Sequence, residues 1–296
     1  MHDHLSRPRP SQVSVVIPAY NASDSLWATI SSAIGAGVGE IVVVDDGSTD
    51  DTETVARRAG ASVVLRTANR GSAAARQTGI DAAQLDFLIL CDADDLLLSE
   101  GVLNGLELIS RHPEASGVCG ASVVVRGTKT IGAIRPWAPT IGPGDLVSKM
   151  RSFGPPACAI WRTSSVRSAY AAEPSQLAPA YAEDYEFYIR MSCQAPILSH
   201  QAEVCIYNSG LGKSFKSPKR DSDETARVAR YYASYLGLPA PVWTPARRMA
   251  RSLTRQSFYT SSRVKRVALL LLAACLAPQL AIKSATTKLP WVGRLP

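Results

Sequence analysis

Three groups of carboxylates in this chain of 296 residues sit where chemistry could use them. Asp92-Ala93-Asp94-Asp95 directly follows the apolar run Phe87–Leu90. Asp45-Asp46 follows Ile41–Val44, and Glu183-Asp184 opens an amphipathic stretch that runs to Cys193. Neighbouring negative charges repel, and they persist at little cost only when a cation or a hydrogen-bonding ligand compensates them. Carboxylate oxygens are hard donors suited to Mg2+ or Mn2+, whose coordination is commonly completed by phosphate and water. A DxDD after a strand therefore fits metal-assisted chemistry on a phosphate-bearing ligand; taken alone, it also reads as a solvated turn capping the next helix. Asp45-Asp46 carries the same two readings, since a carboxylate at a strand end can accept hydrogen bonds from a nucleotide's base or ribose.

The elements that must hold these groups alternate. Val13–Ile17, Ile41–Val44, Ser62–Leu65 and Phe87–Leu90 are short β-branched or apolar runs of the kind buried on both sheet faces. Between them, Ser25–Ile34 and Ser72–Ala83 have helical spacing, and Ser48-Thr49-Asp50-Asp51 has the form of a capping box opening a helix through Arg58. The pattern predicts a mainly parallel sheet with helices on both faces. Ligands of such sheets bind beyond the carboxyl ends of the strands. The segments Pro18–Asn21, Asp45–Ser48 and Asp92–Asp95 should therefore meet at one rim. Further along, the spacing predicts a helix over 100–110, a strand over 117–125, loops around a short helix near Leu146 over 126–156, a strand over 157–161, a helix over 183–193 and one or two strands over 197–207. There is no GxGxxG after the first strand and no GxxxxGK[ST], which argues against a nicotinamide-type site and a P-loop.

VSVVIPAYNASDSL (13–26), IVVVDDGSTDDT (41–52), NRGSAAARQTGI (69–80) and FLILCDADDLL (87–97) together resemble the family-2 glycosyltransferases of GT-A fold, in order, spacing and strand-end placement. The resemblance implies a Rossmann-like α/β domain and an inverting transferase that uses a nucleotide-diphosphate sugar and a divalent metal, Mn2+ or Mg2+. It carries Pro18, Ala19 and Tyr20 to the lining of the nucleotide base, and Asp45 and Asp46 to the acidic pair whose second member contacts it. Arg70, Gly71 and Arg76 fall in the stretch flanking base and diphosphate. Asp92, with Ala93 beside it, is oriented toward ribose and sugar, and Asp94, with Asp92, toward the metal. The segment from Glu183 resembles the family's acceptor-side Glu-Asp pair, which makes Asp184 the expected general base and Glu183 the alternative. A carboxylate near an acceptor hydroxyl can take its proton as the bond to sugar forms; at a helix N-terminus it also reads as a cap. Phe187 and Ile189 are expected to pack, and Arg190 to pair with Glu186 at i,i+4. One departure stands out. Many relatives carry a His or Arg after the strand that follows this helix, whereas Tyr207–Ser214 holds no His here, leaving Lys213 as the cation of a Gly210-x-Gly212 loop.

Composition frames the rest. Apolar residues make up 46% and charged residues 19%, with 20 Gly and 19 Pro, which excludes a disordered, collagen-like or coiled-coil chain. Six cysteines without a CxxC pair argue against a zinc ribbon or a disulfide scaffold. The net charge of +7 conceals a division: residues 1–212 hold 16 Lys/Arg against 22 Asp/Glu, and residues 213–296 hold 16 against 3. The expected organisation is a disordered stretch over 1–11, a nucleotide-sugar half over 12–98, an acceptor half of the same domain over 99–212 and a basic helical region over 213–296. No signal-like run opens the chain, so a cytoplasmic body is expected. The apolar segment 267–282, preceded by Arg247, Arg248, Arg251, Arg255, Arg263, Lys265 and Arg266, is too short to span a bilayer comfortably. It fits peripheral attachment to the inner face of the cell membrane through 247–282, or docking on the catalytic domain. No nucleic-acid motif accompanies the basic residues, and no nucleic-acid partner is expected.

Sugar transfer to a carbohydrate or lipid-linked acceptor is the leading functional expectation. Asp92-Ala93-Asp94 also resembles the acid pair of haloacid-dehalogenase-type phosphatases, but that pair follows a first strand and this one a fourth. The third alternative is a degenerate, non-catalytic nucleotide-sugar-binding scaffold at the membrane.

Overall fold

The computed structural model describes residues 8–171, 177, 179, 181–209, 217–242, 244–260 and 262–277. Residues 1–7 of the stretch expected to be disordered lie outside them, and Pro10–Gln12 form a 3-10 turn that leads into the first strand.

The first half follows the alternation of the sequence. Strands β1 (Val13–Ala19), β2 (Glu40–Asp45), β3 (Val63–Arg66) and β4 (Phe87–Leu90) pair in parallel in the order β3-β2-β1-β4. Helices α1 (Leu26–Gly35), α2 (Thr52–Ala59) and α3 (Ser72–Ala82) connect them. Right-handed crossovers put α1 and α2 on one face, where they touch, and α3 on the other, against β1 and β2. Every residue of β1, β2 and β4 is buried, which is why these strands are mostly apolar rather than alternating; buried Ser14 and Glu40 satisfy each other by a hydrogen bond. Helix α3 lies very close to β1: a Cβ at Gly79 would come 2.3 Å from Val16 Cγ1.

The second half joins the same ten-stranded sheet. After β5 (Leu96–Leu97) and α4 (Ser99–Ser110), β6 (Gly117–Arg126) turns into β7 (Lys129–Ile134) as a hairpin. Strand β8 (Thr140–Ile141), helix α5 (Pro143–Lys149), a 3-10 turn at Pro156–Cys158, β9 (Ala159–Arg162), α6 (Thr163–Ala171), α7 (Glu183–Gln194) and β10 (Ile197–Asn208) follow. Strand β9 runs antiparallel between β4 and β6, while β6 and β10 are parallel. The α/β architecture with helices on both faces is as expected, but the sheet is mixed overall, because β5, β7, β8 and β9 all enter antiparallel.

Two local expectations are corrected. Residues 126–156 are not simply loops around a helix, since β7 and β8 lie within them; β7 is a half-exposed edge segment with little apolar signal. Ser48 does not cap α2. Its hydroxyl accepts the Asn21 N–H at 2.9 Å, and the cap residue Asp51 makes no side-chain bond. Asp50 serves the helix start instead, bonding the backbone and hydroxyl of Thr52.

Beyond the sheet, α8 (Pro218–Tyr235) lays Ala226, Ala229, Tyr232 and Ala233 into the main core. Helices α9 (Pro245–Tyr259) and α10 (Arg263–Leu276) pack against each other as a hairpin. Residues 278–282 of the expected apolar segment lie outside the described residues, as do Gly210, Gly212 and Lys213.

Candidate active site

Parallel pairing brings the carboxyl ends of β1, β2 and β4 to one edge, and side chains then tie the three loops together. Asn21 accepts the Thr49 N–H at 2.9 Å, Thr29 donates its hydroxyl to Ala93 O at 3.0 Å, and Asp46 N–H bonds Ala19 O at 2.8 Å. The expected convergence of loops is therefore present.

Within that rim the nucleotide-side residues divide. Tyr20 is 51% exposed, whereas Pro18 and Ala19 are buried in β1, so only the tyrosine presents its side chain. Asp45 is also turned inward, 1% exposed. Its Oδ1 accepts the Ser48 N–H at 2.8 Å, and its buried Oδ2 has Arg66 Nε at 3.8 Å. Asp46 is 3% exposed, and its two oxygens accept the N–H groups of Arg70 at 2.9 Å and Gly71 at 2.7 Å. It thus clamps the loop that leads into α3. Gly71 takes φ +89° there, a left-handed conformation that a side chain would resist.

One turn further along α3, Arg76 joins the two halves. Its Nη2 donates to Asp92 Oδ1 at 2.6 Å, and its Nη1 to Asp184 Oδ1 at 2.9 Å; Glu183 Oε2 is 3.8 Å away. Ser72 adds a hydroxyl bond to Glu183 at 3.1 Å. The guanidinium is nearly buried while Asp92 and Asp184 keep 35% and 39% of their side chains open. The protein thus supplies its own cation to a cluster of carboxylates drawn from β4 and from the first turn of α7. Ala182, just before Glu183, sits at φ +63°, a strained conformation for a residue with a side chain.

The electrostatics follow from this crowding. Burial, which alone would lower the Arg76 pKa, is outweighed by Asp92 and Asp184, so the guanidinium is held still more firmly charged. Desolvation raises the Asp184 carboxyl to about 6, with Asp92 and Glu183 adding to the rise and Arg76 opposing it. Asp94 is likewise pushed up to about 6 by burial and then by Asp92. Two oxygen donors spaced by one residue, one of them destabilised as an anion, suit a divalent cation that also takes phosphate oxygens. Among the described residues no cluster of three or more His, Cys, Asp or Glu could hold a metal unaided. Asp92 and Asp94 therefore fit a metal only together with a ligand that brings oxygens of its own.

Behind the cluster lies a cavity of about 30 Å³ lined by Arg76, Trp161, Tyr170, Asp184 and Tyr188 among others. It has room for a water molecule or two, not a sugar ring.

Ser72 and Thr29 carried no sequence signal, and Asp95, visible as part of the DxDD, has a structural role that its spacing did not show. Asp95 is fully buried and accepts the Asn208 N–H at 2.9 Å, tying the DxDD turn to the end of β10. Ser72 and Thr29 are ordinary helix residues by type. As expected, Phe187 and Ile189 pack in the core and Arg190 pairs with Glu186 at 2.6 Å; the Tyr232 hydroxyl adds an unforeseen bond to Glu186 at 2.7 Å.

The profile of glycosyl transferase family 2 matches residues 14–165, more than half of the chain. The chain belongs to glycosyl transferase family 2. Among curated relatives, succinoglycan biosynthesis protein ExoU of Rhizobium meliloti is 40% identical over 97 residues, which are 31% of this chain and 28% of that protein. The Escherichia coli protein WfaP, a UDP-Glc:alpha-D-GlcNAc-diphosphoundecaprenol beta-1,3-glucosyltransferase, is 30% identical over 102 residues, 33% of this chain and 41% of that one. The matched segments thus span less than half the length of these relatives. Two solved structures share the fold. S. aureus TarS 1-349 in complex with UDP-GlcNAc aligns over 91% of this chain and 82% of its own, with TM-score 0.57 and 18% identity. The mannosyltransferase PcManGT from Pyrobaculum calidifontis, in complex with GDP-Man and Mn2+, aligns over 94% and 82%, with TM-score 0.54 and 18% identity.

Proposed function

We propose that this family-2 chain transfers a sugar from a nucleotide-diphosphate sugar to a carbohydrate or lipid-linked acceptor, with inversion at the anomeric carbon. The observation that carries the reading is the Arg76 bridge, which sets Asp92 at the end of β4 beside Asp184 at the start of α7. The donor lies over the rim, with Tyr20 and the Asp46-clamped loop of Arg70 and Gly71 toward its base.

Asp184 is the general base. It accepts the proton of the acceptor hydroxyl as that oxygen bonds the anomeric carbon, while the bond to the diphosphate breaks and its electron pair leaves with the phosphate. A carboxyl raised to about 6 remains ionised at neutral pH yet is a better base than a free aspartate. Glu183, fixed by Ser72, holds the first turn of α7 in place. Asp94 and Asp92 would hold a divalent cation, which supplies neutralising charge to the diphosphate when bound. The ligands bound in the two structural relatives, UDP-GlcNAc in one and GDP-Man with Mn2+ in the other, support this donor class and metal.

The test is a thermal-shift series with UDP- and GDP-sugars, each with and without Mn2+. A ligand at a hundred times its Kd stabilises the folded state by about 2.7 kcal/mol. At least one nucleotide sugar should raise Tm more with Mn2+ than without it. If none shifts Tm, the reading fails.

A further inference from the structure

Helix α10 buries its small side chains and exposes its large aliphatic ones. The side it buries is small: Ala273 and Ala277 pack on Ala250 and Leu253 of α9. The opposite side carries Val264, Val267, Leu271, Leu272 and Leu276, exposed by 79, 55, 62, 55 and 39%. Val264, Val267 and Leu271 follow one another at three and four residues, with Leu272 and Leu276 four apart in the adjoining row, so the five make one continuous stripe about 18 Å long at 1.5 Å per residue. Ten of the fourteen exposed large hydrophobics among the described residues lie beyond residue 230, so the apolar exposure is concentrated at this end of the chain. Such a patch marks an interaction surface.

Charge identifies the occupant. After Glu224 the sequence contains twelve Lys/Arg and no Asp or Glu. A second copy would bring an equally cationic hairpin to the stripe and be repelled. A purely aliphatic stripe offers no aromatic ring on which a nucleic-acid base could stack. Hydrocarbon beneath a layer of negative charge satisfies both features. No described helix is long and apolar enough to cross a membrane, which leaves a helix lying along one.

We propose that the Val264–Leu276 face of α10 inserts into the headgroup region of an anionic lipid bilayer, with the hairpin's Lys and Arg residues meeting the lipid charge. This reading goes beyond the transferase assignment and is independent of it.

The test is co-sedimentation of the full chain with vesicles of equal parts phosphatidylglycerol and phosphatidylcholine, and with phosphatidylcholine alone. The wild-type chain should pellet with the anionic vesicles and bind the neutral ones much less. Raising salt from about 0.1 to about 1 M, which shortens the screening length from about 10 to about 3 Å, should weaken binding. The double change L271E/L272E should reduce binding at least about tenfold, since each leucine withdrawn from hydrocarbon is worth more than that factor. Both side chains are exposed, so Tm and circular dichroism should be unchanged. Wild-type protein left in the supernatant, or a double variant that still pellets like wild type, would overturn the proposal. A wild-type dimer that L271E/L272E converts to monomers would also overturn it, by assigning the face to a second copy.

Discussion

Arg76 Nη1 and Asp184 Oδ1 meet at 2.9 Å across 108 positions of sequence. The same guanidinium holds Asp92 at 2.6 Å, so one side chain of α3 sets the spacing between the strand-end carboxylate and the candidate base. Both halves of the proposed reaction depend on this link.

Replacing Arg76 by Gln removes the charge and leaves three carboxylates facing one another. Breaking a well-buried pair costs about 3–5 kcal/mol. Solvent reaches Asp92 and Asp184, so the expected cost is smaller, about 1–3 kcal/mol. Thermal melting should show Tm falling by several degrees, and turnover should fall at least about tenfold. Lys at this position restores charge without the two-pronged geometry and should recover stability more than activity.

Gly79→Ala tests whether α3 must sit this close to β1. The added methyl collides with Val16, whose β-branched side chain has little freedom to move. Overpacking of this kind costs about 1–3 kcal/mol, offset by up to about 1 kcal/mol of helix propensity. Tm should drop modestly. Turnover should drop further, because Arg76 lies one turn away on the displaced helix.

Asp46→Asn leaves one acceptor oxygen where two N–H groups now bond. Hydrogen bonds to a charged group are each worth about 1.5–3 kcal/mol. Amide exchange at Arg70 and Gly71 should accelerate, and the KM for donor should rise with kcat less affected.

For Asp94, the informative comparison is made with and without metal. Asp94→Ala should abolish the extra Tm rise that Mn2+ gives in the presence of a nucleotide diphosphate. The melting point of the metal-free protein should stay the same or increase, since a carboxyl that burial and Asp92 make costly to ionise has been removed. An unchanged Mn2+ response would move the metal elsewhere.

Much of this site was legible in the sequence, because the parallel half follows a simple rule: buried strand, polar strand end, helix. That rule put Asp46, Asp92 and Asp94 at one rim and gave β4 its observed limits. It could not show which way each carboxylate turns. Asp45 and Asp46 are adjacent, yet one stabilises the turn to Ser48 and the other the loop at Gly71, a choice made by backbone N–H groups. The family resemblance carried Arg76 to the stretch flanking base and diphosphate, but only the arrival of α7, 108 positions further along, makes it the centre of the carboxylate cluster. The hairpin of β6 and β7 was missed for a similar reason, since a half-exposed edge strand needs no apolar alternation.

The most direct test of the account is the pH–rate profile of sugar transfer by the wild type and by Asp184→Asn, with donor affinity measured alongside. A base must be ionised to act, so wild-type turnover should rise with pH through about 6 and then level off. At pH 8 the variant should bind donor within about twofold of wild type yet turn over about 10²–10⁴ times more slowly. A variant that matches wild-type turnover across the profile would contradict the assignment of Asp184 and the mechanism built on it.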